Sequence, residues 1–157
     1  MILNFIFNIG DAMPFEEERK IFEDYLKSKR LKQSSQRDHI LDVFLKTERH
    51  LKADELYRLV KKNFPETGFS TIYRTLKLLR ECGLCNELIL DDGTVRFEHL
   101  YGHEHHDHLI CTKCGKFVEI MEPQIEKLQL KLAKKEGFVL QNHRLLLYGK
   151  CGKCKKK

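Results

Sequence analysis

The sequence STIYRTLKLLRECG, residues 70–83, has the pattern of an amphipathic helix with a polar and aromatic N-terminal end. Its apolar stripe, at helical spacing, contains Ile72, Leu76 and Leu79. Ser70 can cap the first turn and Gly83 can end the helix, which predicts a helix over Thr71–Cys82. A DNA-recognition helix needs this division, because its N-terminal side chains reach bases while its apolar face holds it to the domain.

A hairpin is predicted directly after this helix. Strand patterns over Cys85–Leu90 and Thr94–Leu100 flank Asp91-Asp92-Gly93, and an Asp-Gly step favours a tight reversal. Three earlier segments with helical apolar spacing begin near Phe15, Ser34 and Ala53. Helices followed by a two-stranded hairpin are typical of a winged helix-turn-helix, so we predict such a DNA-binding domain over residues 14–100.

A second, smaller domain is predicted over residues 101–157, where the composition shifts to His and Cys. Its predicted elements are strands near His108–Cys111 and Phe117–Ile120, a helix over Pro123–Glu136 and a strand over Phe138–Tyr148. The predicted fold class is therefore α+β, with an N-terminal winged helix-turn-helix followed by a small α/β domain.

Polar and basic side chains of the first domain are candidate DNA contacts. Arg74 can contact a phosphate or a guanine, and Thr71 and Tyr73 can make apolar or hydrogen-bonding contacts with bases. Candidate contacts to the DNA backbone, predicted on the preceding helix, are Lys32, Gln36 and Arg37. The alternative is that Tyr73 is a core aromatic and the basic residues form a solvated face. The predicted wing and the positive charge around it favour DNA binding.

Six cysteines form three C-x-x-C pairs, which are Cys82/Cys85, Cys111/Cys114 and Cys151/Cys154. The last two pairs together supply four thiolates and leave no open coordination position, as in a structural zinc site. The alternative is that they are isolated buried thiols. Cys82 continues the apolar stripe of its helix, so we interpret the first pair as a core thiol and a strand thiol with accidental spacing.

The run His103-Glu104-His105-His106-Asp107-His108 is rich in metal-ligating groups. In a strand, successive side chains point to opposite faces, so His106 and His108 would share one face and His105 and Asp107 the other. One strand could then supply two different metal sites. Residues available to complete them are His50, Glu98, Glu119, Glu126 and His143. The alternative is a solvated polar hinge that binds no metal.

The same six residues fit H-x-H-x-D-H, the signature of the metallo-β-lactamase superfamily of zinc hydrolases. Those enzymes need a large two-sheet sandwich and further distant ligands, whereas only about 50 residues follow Asp107, and an enclosed hydrolytic pocket is not expected in so short a chain. We therefore predict that the protein is not an enzyme and has no catalytic residue. A structural zinc-ribbon interaction module is a further alternative.

Composition limits the classes of partner. The chain has 157 residues, of which 41% are hydrophobic, and its formal net charge of +6 permits a polyanionic partner. No apolar run approaches the roughly 18 to 20 residues that span a bilayer, so no membrane association is predicted. The opening residues lack the features of a signal peptide, and we expect a cytoplasmic protein with Met13 as a plausible initiator.

The sequence resembles the ferric uptake regulators, which are metal-responsive bacterial repressors. The resemblance extends from about Leu31 to Cys154. The motifs that carry it are Gln36-Arg37, His50 with Ala53 and Glu55-Leu56-Tyr57, Thr71-Ile72-Tyr73-Arg74-Thr75-Leu76, His105-His106-Asp107-His108-Leu109-Ile110-Cys111 with Cys114-Gly115-Lys116, and Asn142-His143 with Leu147-Tyr148-Gly149 and Cys151.

The resemblance implies a homodimer that binds a double-stranded DNA operator, with the second domain as the dimerisation domain. It implies a structural zinc site with the ligands Cys111, Cys114, Cys151 and Cys154. It implies a regulatory site between the domains, with the ligands His50, Glu98, His106, His108 and Glu119. It also implies an additional site in the dimerisation domain, with the ligands His105, Asp107, Glu126 and His143.

Mixed His and carboxylate ligands suit Fe(II), Mn(II), Zn(II) or Co(II), and the order of affinities alone does not choose among them. Because iron is the commonest effector in the family, the resemblance predicts an Fe(II)-dependent repressor of metal-uptake or homeostasis genes. Within the family the alternatives are a zinc-sensing and a peroxide-sensing repressor. Peroxide sensors typically have Asp where Glu98 and Glu119 stand here, which favours metal sensing.

Overall fold

The computed structural model describes residues 15–47, 50–102 and 105–155, so that Met13 lies outside the described residues. The chain divides into two compact units, Met1–His103 and Glu104–Lys157. The helices and strands of the first unit are α1 (Glu16–Ser28), α2 (Ser35–Leu45), α3 (Ala53–Lys61), α4 (Phe69–Glu81), β1 (Cys85–Ile89) and β2 (Val95–His99). Those of the second unit are β3 (Asp107–Cys111), β4 (Phe117–Ile120), α5 (Pro123–Lys135), β5 (Leu146–Gly149) and α6 (Gly152–Lys155).

The predicted recognition helix is present as α4, but its first turn differs from the prediction. Gly68 occupies the N-cap position without a side-chain hydrogen bond, and Ser70 lies inside the helix, so the prediction of Ser70 as the cap is wrong. At the other end, Gly83 has a φ of 82°, and the Leu84 N–H donates to the Leu79 carbonyl at 2.9 Å. The prediction that Gly83 ends the helix is confirmed, because this left-handed conformation favours glycine.

The apolar stripes of the four helices meet in one core within the first unit. Residues with no exposed surface there include Ile40, Phe44, Leu56, Val60, Ile72, Leu76 and Leu79. Cys82 packs against this core, and Cys85, the first residue of β1, belongs to it, which agrees with their interpretation as a core thiol and a strand thiol. Burial of these side chains removes apolar surface from water, and this is the main favourable term for folding of the unit.

The hairpin pairs β1 with β2 in antiparallel register, with Asn86 opposite Glu98. A third short segment adds to it, because Leu51 and Phe97 exchange backbone hydrogen bonds of 2.9 and 2.7 Å. The residue before this bridge, His50, is thereby fixed beside the C-terminal part of β2. Leu51, just before α3, is therefore tied to β2 by an isolated bridge.

The second unit contains a three-stranded sheet in the order β4-β3-β5. β3 pairs antiparallel with β4 and parallel with β5. The predicted strand over 138–148 is wrong, since only Leu146–Gly149 is a strand. β5 pairs with β3 from His108 to Cys111, and the His108 N–H donates to the Leu145 carbonyl at 3.1 Å just before the strand begins.

The helix of the second unit, α5, exposes most of its apolar side chains. Pro123 begins it, Gly137 follows its end with a φ of 77°, and no residue within it is buried. The exposed apolar residues in and just after it include Leu128, Leu130, Leu132, Phe138 and Val139. Leu128 and Leu132 are about one turn apart and therefore lie on the same face of α5. In the described part of the chain, no helix has the length and apolar character to cross a membrane.

Candidate metal centres and DNA-binding surface

Four cysteine sulfurs of the second unit lie together where two strands end. Cys111 ends β3 and pairs with Gly149 of β5, so the segments that follow the two strands meet. The sulfurs of Cys114 and Cys151 are 3.7 Å apart. All four sulfurs, including that of Cys154, lie within 4.8 Å of one another. A zinc ion with bonds of about 2.3 Å to sulfur in a tetrahedron requires sulfur–sulfur distances of about 3.8 Å, so this cluster fits zinc.

The thiols of this cluster differ in acidity. The pKa of Cys111 is lowered to about 6, mainly because the Cys151 backbone N–H donates to its sulfur at 3.3 Å. The pKa of Cys151 is also lowered, by the backbone N–H of Cys154. The pKa of Cys154 is raised to about 12, because the neighbouring sulfurs of Cys114 and Cys151 lie beside it. Four thiolates this close repel one another, and a divalent cation removes that repulsion.

A second cluster of the same unit combines two histidines and two carboxylates. His105 Nε2 lies 3.4 Å from Asp107 Oδ1 and 3.7 Å from Glu126 Oε1, and His143 Nε2 lies 3.0 Å from Glu126 Oε2. The backbone N–H of Leu145 donates to the buried Asp107 carboxylate at 3.2 Å, which holds it in place. One ligand atom from each of the four predicted residues lies within 4.8 Å of the others. This donor set fits a divalent transition-metal ion.

His106 and His108 form a separate pair on the other side of the segment. Their rings are 5.0 Å apart in an edge arrangement, and His108 is only 2% exposed. Glu119 of β4 lies directly opposite His108 and is exposed. His105 and His106 precede the strand. Even so, His106 lies beside His108 and His105 lies beside Asp107, as expected from strand alternation. His103 and Glu104 of the same run lie outside the described residues.

The first unit holds a buried pair of ligand-type side chains, His50 and Glu98. His50 Nε2 is hydrogen-bonded to Glu98 Oε2, and both side chains are more than nine-tenths buried. Asn86 Nδ2 donates to Glu98 Oε1 at 2.7 Å, and Arg96 Nη1 donates to the His50 carbonyl at 3.0 Å. Asn86 and Arg96 were not predicted as site residues. The available signal was the hairpin register, which places Asn86 opposite Glu98.

The N-terminal part of α4 exposes side chains that were predicted to contact bases. Tyr73 is 50% exposed and Arg74 is exposed, while Thr71 is half-buried. The alternative that Tyr73 is a core aromatic is therefore wrong, because Ile72 beside it fills the core. Lys77, one turn after Tyr73, is a further basic residue on the same face of α4 and was not predicted as a DNA contact. Its helical spacing from Tyr73 was the available signal.

The predicted DNA-backbone contacts lie at and just before the start of α2, the second helix, so only the placement of Lys32 on a helix is wrong. Gln36 and Arg37 are on α2, and Lys32 lies in the preceding loop and is exposed. Arg37 Nη1 donates to the Lys32 carbonyl, and the Arg37 backbone N–H donates to Ser34 Oγ at 3.4 Å. These bonds fix the loop conformation and the position of Lys32.

The sequence profile of the ferric uptake regulator family matches residues 28–148. The chain belongs to the ferric uptake regulator family. The ferric uptake regulation protein of Bordetella parapertussis is 45% identical over 132 residues, which cover 83% of this chain and 94% of the relative. The predicted fold class is thus confirmed, with an N-terminal helical DNA-binding domain and a C-terminal dimerisation domain.

Solved structures of the family agree with this assignment. The ferric uptake regulator of Helicobacter pylori, whose structure reveals three functional metal binding sites, matches with a TM-score of 0.84 and 29% identity, covering 91% of this chain and 95% of that one. A zinc-bound manganese uptake regulator matches with a TM-score of 0.65 and 37% identity, covering 83% of this chain and 98% of that one.

Family membership decides between the classes of function. Members are transcriptional regulators and not enzymes, so the hydrolase alternative for the H-x-H-x-D-H run is rejected. They are DNA-binding regulators that act as dimers. The chain is a metal-dependent transcriptional repressor of this family.

Proposed function

We propose that this repressor responds to Fe(II) in the cytoplasm and, as a homodimer, binds a double-stranded operator near genes for metal uptake or homeostasis. The observation that carries the proposal is the buried His50–Glu98 pair in the DNA-binding unit. Two ionisable groups are rarely buried without a role for their charge or their lone pairs. Nitrogen and carboxylate donors of this kind suit Fe(II), with Mn(II) and Zn(II) as the competing ions.

The regulatory site in this proposal takes ligands from both units. The first unit contributes His50 and Glu98, and the second contributes His106, His108 and Glu119. A divalent cation supplies a positive centre that accepts lone pairs from donors on both sides. Shared ligation fixes the orientation of one unit to the other, and operator affinity rises if the fixed orientation is the one that binds DNA.

The four cysteines have a different role in the proposal, as ligands of a structural zinc ion. Support comes from the sulfur–sulfur spacing and from the absence of an open position in a four-thiolate set. Cys111 and Cys114 are attached to β3, and Cys151 and Cys154 follow β5. Zinc ligation by both pairs therefore ties the parallel strands β3 and β5 together.

The additional site would consist of His105, Asp107, Glu126 and His143. All four residues belong to the second unit, so ligation there joins α5 to the sheet. Because α5 carries the exposed leucines, we propose that this site stabilises the helix that forms the dimer interface.

For DNA contact, we propose that Thr71, Tyr73 and Arg74 reach base edges in the major groove. The groups that contact the phosphate backbone would be Lys32, Gln36 and Arg37. In a homodimer, two such helices related by a dyad meet a near-palindromic operator. Base contacts determine which sequence is bound, whereas phosphate contacts determine position and salt dependence.

The proposal is tested by measuring operator affinity during anaerobic titration with Fe(II), Mn(II) and Zn(II), using DNA selected from a random-sequence pool. We expect Fe(II) at cellular concentrations to raise affinity for the selected DNA but not for random DNA. The His50→Ala protein, with its zinc retained, should lose this response. If Zn(II) or Mn(II) raises the affinity while Fe(II) leaves it unchanged, Fe(II) is not the effector. An unchanged response in His50→Ala would reject the regulatory site.

A further inference from the structure

We propose that Asn86 is a positioning residue for the regulatory site. Its carboxamide orients the Glu98 carboxylate so that one oxygen, Oε2, is presented beside His50. This inference rests on the proposed regulatory role of His50 and Glu98. It adds a residue that would not itself ligate the metal but would determine how well a ligand does so.

The two carboxylate oxygens of Glu98 have different partners. Oε1 accepts the hydrogen bond from Asn86 Nδ2 at 2.7 Å, and Oε2 is hydrogen-bonded to His50 Nε2. Rotation of the carboxylate about its last bond would break both contacts. Because a half-turn would only exchange two equivalent oxygens, what Asn86 fixes is the plane of the carboxylate and thus the direction in which one oxygen faces the histidine.

The orientation of Asn86 is itself fixed by the hairpin. Its side-chain Oδ1 accepts the backbone N–H of Glu87 at 3.0 Å, so the amide nitrogen faces away from β1 and toward Glu98. Asn86 and Glu98 are direct partners in the antiparallel register, and such partners have their side chains on the same face. The donor is thus set by sheet geometry and not by a mobile loop.

His50 is held by contacts that do not involve Asn86. The bridge between Leu51 and Phe97 fixes its backbone, and Arg96 donates to its carbonyl at 3.0 Å. A change at Asn86 should consequently leave the backbone of His50 in place and act first on the orientation of Glu98. This separation makes the inference testable.

The expected consequence is a change in metal affinity. Hydrogen bonds to a metal ligand hold it in the geometry for binding, and their loss typically weakens affinity by about 10- to 100-fold. Asn is also a neutral donor, so it stabilises the buried carboxylate without adding charge to the site.

The test uses zinc-loaded full-length protein titrated with Co(II), with affinity and ligand-field spectrum read by visible absorbance. Asn86→Leu removes the donor at similar volume and should weaken Co(II) binding about 10- to 100-fold and alter the spectrum. Asn86→Gln retains the amide and should restore affinity at least partly. Zinc content and the unfolding temperature of the cobalt-free protein report on the fold. If Asn86→Leu does not fold, Asn86→Ala removes the donor without adding volume.

Matched controls separate this inference from the proposed site. Gln33 is an amide that donates to Glu23 and Asp38 at 3.3 and 3.2 Å, and Gln33→Leu should bind Co(II) like the unchanged protein. If His50→Ala weakens Co(II) binding but Asn86→Leu and Asn86→Ala do not, the role of Asn86 is wrong and the site stands. If neither His50→Ala nor Asn86→Leu weakens it, the site itself is wrong.

Discussion

The two units of the chain bury different kinds of residue in their interiors. The first unit buries apolar side chains from all four helices and from the hairpin in one core. Among the described residues of the second unit, the buried apolar ones are Ile110 and Cys111, and the other buried ones are Asp107 and His108. Three of these four are ligand-type residues. The second unit thus places candidate metal ligands where the first unit places leucines.

This difference explains why the two units should respond differently to loss of metal. A unit of about 50 residues without a sufficient apolar core usually needs a metal, a disulfide or a partner chain for stability. The second unit has two candidate metal clusters and an exposed apolar helix, α5. The first unit needs none of these to bury its core, so it should remain folded when metal is removed.

The largest effect is expected from Cys111→Ser. Zinc binding contributes about 10 to 16 kcal/mol of apparent free energy in small zinc domains at neutral pH, and this is folding free energy. The variant should lose zinc, unfold the second unit and cease to dimerise, while α4 keeps its hydrogen-exchange protection. Zinc per subunit, sedimentation and exchange rates provide the measurements.

Cys82→Ser is the matched control for this variant, because Cys82 also belongs to a C-x-x-C pair but packs against the core of the first unit. It should retain zinc and the dimer. If Cys111→Ser stays dimeric with unchanged zinc content, the second unit does not depend on the cysteine cluster.

The next largest effect is expected from His108→Ala, which should remove the proposed coupling between the units without unfolding either. Allosteric coupling is typically worth about 1 to 3 kcal/mol, or about 5- to 150-fold in affinity. The gain in operator affinity on adding metal should fall to near zero while zinc content stays the same. Operator binding with and without metal measures it. His39→Ala is the control, because His39 stacks on Phe64 in the first unit, away from the candidate ligands.

Local signals in the sequence predicted the first unit better than the second. The spacing of Ile72, Leu76 and Leu79 predicts α4, because helical periodicity and burial are both local properties. Ser70 was placed wrongly at the N-cap because Gly68 also permits an extended conformation there, and residue type alone does not separate the two.

The errors in the second unit concern pairing between distant segments. Residues 138–148 have the composition of a strand, but only Leu146–Gly149 pairs with β3, opposite His108 to Cys111. Asn86, in the first unit, was missed although the register of the predicted hairpin places it opposite Glu98. The proximity of the His106 and His108 side chains was predictable, because the alternation of side chains along an extended segment depends only on neighbouring residues.

A smaller effect, confined to the first unit, is expected from Tyr73→Ala. Loss of a base contact should reduce discrimination between operator and random DNA by about 1 to 3 kcal/mol, with zinc content and the dimer unchanged. Lys32→Ala should instead weaken binding to all DNA alike and flatten the salt dependence, as loss of a phosphate contact does. Binding to both DNAs at several salt concentrations measures the two effects. Equal losses on both DNAs for Tyr73→Ala would mean that this side chain does not read bases.

The smallest effect on repression is expected from His143→Ala, which tests whether the two clusters of the second unit are independent. His143 contacts Glu126 and lies near His105, whereas His108 lies on the other side of β3. The variant should first bind less metal per subunit and form a weaker dimer, and should lose operator affinity only in part, because the ligands of the proposed regulatory site are intact. Metal content per subunit, dimer dissociation and operator affinity are to be compared with those of His108→Ala. Identical profiles for the two variants would mean that His105/Asp107 and His106/His108 serve one site, and that alternation along the segment does not separate two functions.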